Sequence, residues 1–326
     1  MRVLITGAGG FIGRRLAQRL LSTPTALSSA GALDEIVMLD VRAPQAAGAS
    51  SAATGSPRTL WIEGDLTQER ALAAAVKGGL DYVFHLASVP GGAAEANFDL
   101  GMRANLDGTR MLLDAMRWLN KPPVFVFAST IGVFGVPMPD VIEEDTYPAP
   151  TMSYGAQKWI GEILVADYSK RGWIDGRTVR LPGIVARPPA PTGQLSAFIS
   201  NILRDLSAGR DFVCPVAADG KSWWMSVECC LDNLLHAATM RVDPSFMRRV
   251  WMLPVLHASL GEVVDAIAQK HGPEVLERVR YQPDAKLQAQ FANFPPMRCP
   301  RSLAAGFRHD GDLGTMIHRA LGEEEA

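Results

Sequence analysis

The sequence predicts an α/β fold: a doubly wound parallel sheet with a smaller C-terminal α/β domain. Short apolar segments alternate with amphipathic helical segments through the first 181 residues, and a glycine-rich turn joins the first strand to the first helix. This alternation is typical of parallel sheets covered by helices. A chain of 326 residues is long enough for two domains. We expect one domain at 1–181, to which a segment near 224–242 returns, and a second at 182–326.

Composition excludes several classes of protein. Lys and Arg number 32 against 34 Asp and Glu, so the net charge of −2 provides no positive field for nucleic acid. No apolar run approaches the roughly 18 residues of a membrane span, and we expect a cytoplasmic protein that binds no membrane. The four cysteines form neither a C-x-x-C pair nor a disulfide framework, and the six histidines show no ligand spacing. We therefore predict reduced thiols and no metal.

The first strand, residues 2–6, leads into a glycine turn that predicts a dinucleotide site. Gly7 suits the tight turn, Gly10 lets the backbone approach a pyrophosphate, and Gly13 lets helix and strand touch. The next strand ends at Asp40, where the ribose of an adenosine presents its hydroxyls. Because a carboxylate repels a 2′-phosphate, we predict NAD rather than NADP as the cofactor.

Other residues near the carboxyl ends of the strands are expected to line the dinucleotide cleft. Asp65 has two interpretations of equal weight, contact with the adenine or capping of the next helix together with Gln68. An Ala/Gly/Ser/Pro-rich stretch at 43–57 is predicted to be a surface loop, and 323–326 a solvated tail. The further cleft candidates are Phe11, Ile12, Leu66, Leu86 and Ala87 for the cofactor and Ser88 for the substrate.

Tyr154 and Lys158 stand one helical turn apart and share a face. A phenol with a pKa near 10 is a poor base, but a cation about 4 to 6 Å away favours the phenolate and lowers that pKa. Tyr154 could then remove a proton from an alcohol. Ser129 and Thr130 follow the buried strand 124–128, and a hydroxyl there can bond both a substrate alcohol and the phenol. The alternative is a partly buried tyrosine, a solvated lysine and ordinary turn hydroxyls.

Taken together and in this order, the motifs resemble those of extended short-chain dehydrogenases/reductases, the group that contains NAD-dependent sugar epimerases and dehydratases. The resemblance covers nearly the whole chain. It implies a Rossmann-type NAD-binding domain, a substrate domain after residue 181, and a catalytic unit of Thr130, Tyr154 and Lys158. It also implies that Asn105, in the helix predicted at 97–117, belongs to the cofactor site, and that a homodimer forms through the helices of Asn97 and Tyr154.

Within that family, short matches at 98–101, 104–110, 139–141, 153–158 and 213–216 are most similar to the D-erythronate dehydrogenase subfamily. This resemblance implies oxidation of the 2-hydroxyl of a four-carbon sugar acid. The stretch 221–228 lacks the Arg-Asp-aromatic pattern that nucleotide-sugar epimerases have, which favours a small carboxylate substrate. Pro182 is expected beside the nicotinamide, and Arg187 is a candidate for the carboxylate. We weigh three alternatives: L-threonine 3-dehydrogenase, nucleotide-sugar epimerase/dehydratase, and an NAD-sensing regulator without catalysis.

Overall fold

The computed structural model describes residues 1–27, 31–43, 56–189 and 196–322. The predicted loop at 43–57 falls largely, and the predicted tail at 323–326 entirely, outside these residues. The chain divides into two compact units. Unit 1 comprises 1–133, 150–180 and 234–251, and unit 2 comprises 134–149, 181–233 and 252–326. The division predicted from the sequence differs in two places: it includes 134–149 in the first domain, and it puts the returning segment near 224–242, whereas the structure has 234–251 in unit 1.

The strands are, in chain order, β1 Arg2–Thr6, β2 Glu35–Asp40, β3 Arg58–Glu63, β4 Tyr82–His85, β5 Val124–Thr130, β6 Ile142–Glu143, β7 Asp175–Leu181, β8 Gly183–Ile184, β9 Phe212–Cys214, β10 Lys221–Met225, β11 Val250–Met252, β12 Leu256–Ser259, β13 Val279–Tyr281 and β14 Met297–Arg298. The helices are α1 Phe11–Ser22, α2 Glu69–Val76, α3 Gly91–Ala96, α4 Phe98–Gly101, α5 Gly108–Met116, α6 Ser153–Lys170, α7 Ala197–Ser207, α8 Val227–Thr239, α9 Leu260–His271, α10 Ala285–Phe291, α11 Pro300–Ala304 and α12 Leu313–Leu321. A π-helical segment spans Met102–Asp107, and 3₁₀ turns span Ile131–Val133 and Pro273–Glu277.

A seven-stranded sheet in the order β11-β7-β5-β4-β1-β2-β3 organises unit 1. β1 pairs in parallel with β2 on one side and with β4 on the other. The strand order therefore reverses between β1 and β4, and in open parallel sheets ligands bind beyond the carboxyl ends at such a point. The predicted doubly wound α/β fold is confirmed.

The core of unit 1 explains why these segments form strands. Val3, Leu4 and Ile5 are completely buried, as are Phe125 and Phe127 of β5. Strands buried on both faces require continuous apolar runs, and the sequence supplies them. Helices α2, α5 and α6 contribute apolar side chains to the same core, so the sheet and its covering helices hold the carboxyl ends of β1 and β4 in place.

Unit 2 has its own apolar core and small sheets. β10 pairs with β12 and β8, β9 with β13, and β6 with β14. Trp224 is completely buried in a core cluster that also takes residues from α7, α9 and α12. Helix α9 begins with a capping box, in which Ser259 and Glu262 bond each other's backbone N–H groups.

The helix predicted at 97–117 is interrupted. It consists of α4, the π-helical segment and α5. Glycines flank the interruption at positions where a side chain would be tight: a Cβ on Gly101 would lie 3.0 Å from Gln157 Nε2, and one on Gly108 would lie 3.1 Å from Leu66 Cβ. A π-helical segment shifts the residues it contains relative to a regular helix, and Asn105 is one of them.

Candidate active site

The glycine turn of unit 1 has the shape of a phosphate cradle. Gly7 has φ +70°, a backbone conformation that residues other than glycine rarely adopt, and a Cβ there would lie 2.7 Å from Ala87 N. A Cβ on Gly13 would overlap Gly7 O and lie 2.8 Å from Ala8 Cα. Helix α1 begins with no side-chain cap on its first turn. Free N–H groups at a helix start bind phosphate, so the residues present fit a dinucleotide.

Asp40 lies at the end of β2 beside this turn. Its Oδ2 accepts a hydrogen bond from Gly9 N at 2.9 Å, and its Oδ1 accepts one from Arg42 N at 3.3 Å. Both contacts fix the carboxylate next to the glycine turn, as the expected ribose contact requires. Arg42 follows on an exposed bend.

Asp65 lies in the turn that precedes α2, where Gln68 bonds its backbone N–H as the capping interpretation expects, and its contact with the adenine stays a prediction. Its Oδ1 accepts hydrogen bonds from Thr67 N and Thr67 Oγ1, both at 2.9 Å, and its Oδ2 lies 3.6 Å from Arg103 Nε. Helix α2 starts after Gln68, whose side chain accepts from Asp65 N at 3.3 Å. Asp65 thus shapes the turn before the helix. Leu66 is buried.

Residues 86–89, which we call the cleft segment, follow β4. Leu86, Ala87 and Ser88 are partly exposed there. Asn105 holds the end of the segment: its Oδ1 accepts from Val89 N at 2.7 Å and its Nδ2 donates to Val89 O at 3.1 Å. The Asn105 side chain is completely buried, and the place in the cofactor site that the resemblance implies for it stays a prediction.

Tyr154 and Lys158 lie in the first turns of α6, as the sequence predicts. Lys158 Nζ is 6.0 Å from the centroid of the Tyr154 ring. Tyr154 is partly exposed, and a Cβ on Gly91 would lie 3.7 Å from its ring. A Cβ on Gly155 would overlap Gly132 O, so the absence of a side chain lets α6 approach the turn that follows β5.

Lys158 is buried rather than solvated, which excludes the alternative interpretation of this residue. Its side chain is 1% exposed, and its Nζ donates to Ala128 O at 3.0 Å and lies 4.8 Å from the centroid of the Phe127 ring. Burial lowers the pKa of Lys158 from 10.5 to about 7. An ammonium this poorly solvated gains from any negative charge on the Tyr154 oxygen, and that gain favours the phenolate.

The neighbouring hydroxyls of Ser129 and Thr130 have different surroundings. Thr130 is partly exposed at the end of β5, where its Oγ1 accepts from Gly132 N at 3.0 Å. Ser129 is 2% exposed, and its Oγ donates to Glu162 Oε1 at 2.5 Å. Glu162 also pairs with buried Arg180 through two hydrogen bonds, of 2.9 and 2.7 Å. The predicted substrate contact of Ser129 is therefore not supported, because its hydroxyl is buried and committed to Glu162.

Pro182 and Arg187 belong to unit 2. Pro182 is buried, and Arg187 is half-buried immediately after Ala186, which has φ 57°. The contact of Pro182 with the nicotinamide and that of Arg187 with the substrate carboxylate stay predictions. Among the residues that the structure describes, no cluster of His, Cys, Asp and Glu could hold a metal ion. Within the same ranges, no helix combines the length and apolarity that crossing a membrane requires.

Sequence reasoning missed two buried polar residues on the helix of Tyr154, Gln157 and Glu162, because this helix shows little amphipathic pattern. His85, whose position in an apolar strand indicates a core residue, is completely buried. For Gln157, the signal was its place between Tyr154 and Lys158.

The whole chain is similar to known proteins. Residues 3–239 match the sequence profile described as "NAD dependent epimerase/dehydratase family". The D-erythronate dehydrogenase of Cupriavidus necator is 38% identical over 97% of both chains, and that of Haemophilus influenzae is 32% identical over 98% of this chain and 99% of the relative. The crystal structure of a nucleoside-diphosphate-sugar epimerase from Agrobacterium tumefaciens is 34% identical, covers 99% of this chain and 94% of its own, and superposes with a TM-score of 0.88.

Proposed function

Because the chain belongs to the NAD dependent epimerase/dehydratase family, we propose that it oxidises the 2-hydroxyl of a small sugar acid, with D-erythronate as the substrate. The two D-erythronate dehydrogenases that match it over nearly their whole length support this substrate. The predicted family, the NAD cofactor and the class of NAD-dependent oxidoreductase are confirmed. The observation that carries the chemistry is a buried lysine whose Nζ lies 6.0 Å from the ring centroid of a partly exposed tyrosine.

The chain's own residues perform the proton transfer. Tyr154 takes the proton of the substrate hydroxyl, and Lys158 favours the phenolate that does so. Thr130 holds the same hydroxyl by a hydrogen bond, since its Oγ1 keeps its own hydrogen while accepting from Gly132 N. NAD, when bound along the glycine turn, supplies the acceptor for the hydride.

The indole donors of strand β10 are not available to a diphosphate. Its residues Trp223, Trp224 and Met225 are completely buried. Trp223 Nε1 donates to Pro295 O at 2.7 Å, and Trp224 Nε1 donates to Ala258 O at 3.0 Å. These donors are occupied within unit 2 and do not serve a diphosphate. We retain Arg187 as the proposed contact of the substrate carboxylate.

The test is a comparison of substrates in the wild type and in Tyr154→Phe. Formation of NADH is measured with D-erythronate, L-threonine and a set of nucleotide sugars. We expect turnover with D-erythronate, and a loss of about 10² to 10⁴-fold in kcat for Tyr154→Phe with nearly unchanged NAD affinity. Turnover of L-threonine alone would replace the proposed substrate, and near-normal kcat in Tyr154→Phe would reject the assigned base.

A nucleotide-sugar epimerase is the second candidate, favoured by the structural similarity to the epimerase from Agrobacterium tumefaciens. An epimerase regenerates its NAD and releases no net NADH. Conversion of a nucleotide sugar to its epimer without an absorbance change at the reduced cofactor would support this candidate. Binding of NAD with no turnover of any of these compounds would support a regulator.

We also propose a homodimer formed by the surface of α4 and α6. Phe98 of α4 is 58% exposed, and Ile160 and Ile163 of α6 are 40% and 55% exposed. Ile160 and Ile163 share a helix face, and large apolar residues grouped on a surface mark interaction sites. Ile160→Asp should halve the mass measured by light scattering. Trp118→Asp, which changes an apolar residue that is 81% exposed on another segment, should leave the mass unchanged; a monomeric wild type would contradict the proposal.

A cytoplasmic location fits the thiols. Cys214, Cys229, Cys230 and Cys299 are all free and buried. Burial raises the pKa of Cys229 and Cys299 to about 12, so these thiols are unreactive. Free thiols are usual in a reducing compartment.

A further inference from the structure

The cleft segment of unit 1 is held at its beginning by the strand that leads into the glycine turn. Leu86 N donates to Thr6 O at 3.2 Å, and Ala87 N donates to Thr6 Oγ1 at 3.3 Å. Thr6 precedes Gly7, whose missing side chain lets the turn contact Ala87. The start of the cleft segment and the glycine turn therefore form one packed element.

A line of buried hydrogen bonds leads from Thr6 to the far end of the segment. Thr6 Oγ1 is 2.7 Å from His85 Nδ1, and His85 Nε2 is 2.8 Å from Thr109 Oγ1. Thr109 Oγ1 in turn donates to Asn105 O at 2.6 Å. Asn105 then holds Val89 through both ends of its amide. Thr6, His85, Asn105 and Thr109 are completely buried.

The direction of these bonds follows from a count of hydrogens. The one hydroxyl hydrogen of Thr109 is used on Asn105 O, so Thr109 accepts from His85 Nε2–H. Burial together with the charge of Lys158 keeps the pKa of His85 well below its usual value of 6.5. The imidazole is therefore neutral, and its Nδ1 accepts the hydrogen of Thr6. The line has one arrangement of donors and acceptors at neutral pH.

The line ends on the helix of the proposed base. Asn105 Nδ2 donates its second hydrogen to Gln157 Oε1 at 2.8 Å. Gln157 is 2% exposed, and its Nε2 is buried without a hydrogen bond to any residue that the structure describes. Among the described residues, the hydrogen bond of the Gln157 side chain is therefore the one that its Oε1 accepts from Asn105. Gln157 lies directly before Lys158 in α6.

We propose that Gln157 is a positioning residue that fastens the cleft segment, through Asn105, to the helix carrying Tyr154 and Lys158. The inference rests on the proposed function. Transfer of a hydride and of a proton in one reaction requires a fixed spacing between the cleft segment and the Tyr154 oxygen on α6. A misplacement of about 1 Å can cost about 100-fold in rate. The bond from Asn105 to Gln157 sets that spacing.

Three variants test the role of the acceptor oxygen. Gln157→Met keeps the length of the side chain and removes the acceptor, whereas Gln157→Glu keeps an acceptor oxygen in either protonation state. Gln290→Met is the matched control, because Gln290 Oε1 is buried and makes no hydrogen bond with the described residues. Steady-state kcat and KM for NAD are measured with the substrate that the wild type turns over, and NAD affinity is measured separately by fluorescence titration without substrate.

We expect Gln157→Met to lose about 10- to 100-fold in kcat/KM, Gln157→Glu to remain within about threefold of the wild type, and the control to be unchanged. Equal losses in Gln157→Met and Gln157→Glu, or normal kinetics in Gln157→Met with only a lower melting temperature, would overturn the proposal. If Gln157→Met does not fold, Asn105→Asp removes the donor of the same bond while keeping an acceptor for Val89 N, and it should reduce kcat/KM in the same direction; normal kcat/KM there would overturn the proposal. A wild type that oxidises another alcohol would reject the proposed substrate but leave this comparison valid.

Discussion

Replacing Lys158 by methionine should stabilise the ligand-free protein at pH 7 and flatten its pH dependence above that value. The lysine is 1% exposed, and burial brings its pKa from 10.5 to about 7. Between these two pH values the unfolded chain holds a proton at this site more often than the folded chain does. Raising the pH through this window therefore stabilises the folded state, and below pH 7 the whole penalty is present.

The size of the effect follows from the same shift. Each pH unit of separation corresponds to about 1.4 kcal/mol of free energy of unfolding, so a separation of about 3.5 units, from 10.5 to about 7, corresponds to about 5 kcal/mol. The methionine loses the hydrogen bond from Nζ to Ala128 O, which offsets about 1 to 2 kcal/mol. We expect Lys158→Met to be more stable than the wild type at pH 7 by a few kcal/mol, on the order of 3.

Urea unfolding of both proteins at pH 7, 8 and 9 measures the prediction. The difference in unfolding free energy should shrink by about 1.4 kcal/mol per pH unit as the pH rises. Lys170→Met changes an exposed lysine of the same helix and should leave the pH profile of the wild type unchanged. Parallel profiles for wild type and Lys158→Met would refute the reasoning, because they would mean that this lysine titrates alike in the folded and unfolded chains.

Two further substitutions test the cofactor cradle. Gly13→Ala places a Cβ 2.8 Å from Ala8 Cα. Because such overpacking distorts the turn, we expect a loss of NAD affinity on the order of tenfold or more, measured by isothermal titration. The control is Gly31→Ala, where nothing lies within 4 Å of the added Cβ, and it should bind NAD normally. Asp40→Asn keeps an acceptor for Gly9 N and removes the charge, so the NAD to NADP ratio of kcat/KM should fall by roughly tenfold or more, mainly through gain with NADP; an unchanged ratio would show that Asp40 does not discriminate.

Much of the site could be predicted because its signals are local. The glycine spacing defines a strand, a turn and a helix within 13 residues, and Tyr154 and Lys158 meet because residues four apart share a helix face. The pair Ser129 and Thr130 could have been separated too. Successive side chains of a strand point to opposite faces, so only one of the two hydroxyls could be open to the cleft. The structure leaves Thr130 partly exposed and buries Ser129.

Other features have no local signal. The pairing of β6 with β14 joins residues more than 150 positions apart, and no local pattern indicates that 134–149 belongs to unit 2. The π-helical segment is a second case. Its residues show an ordinary helical pattern of apolar positions, and the close contacts of Gly101 and Gly108 depend on α6 and on Leu66. A positioning role for Asn105 could not be read from that pattern.

The composition of α6 explains how these features act together. Gln157, Lys158 and Glu162 are buried in consecutive turns, and burying polar groups costs free energy unless each has a partner. The three partners come from three elements: Asn105 of the π-helical segment, Ala128 O of β5, and Arg180 of β7. Apolar packing alone resists sliding weakly because it is not directional, whereas hydrogen bonds weaken steeply with distance and angle. Directional hydrogen bonds to the surrounding elements therefore fix the position of the helix that carries Tyr154. One of these bonds requires a buried lysine, and the burial of Lys158 lowers the stability of the folded protein.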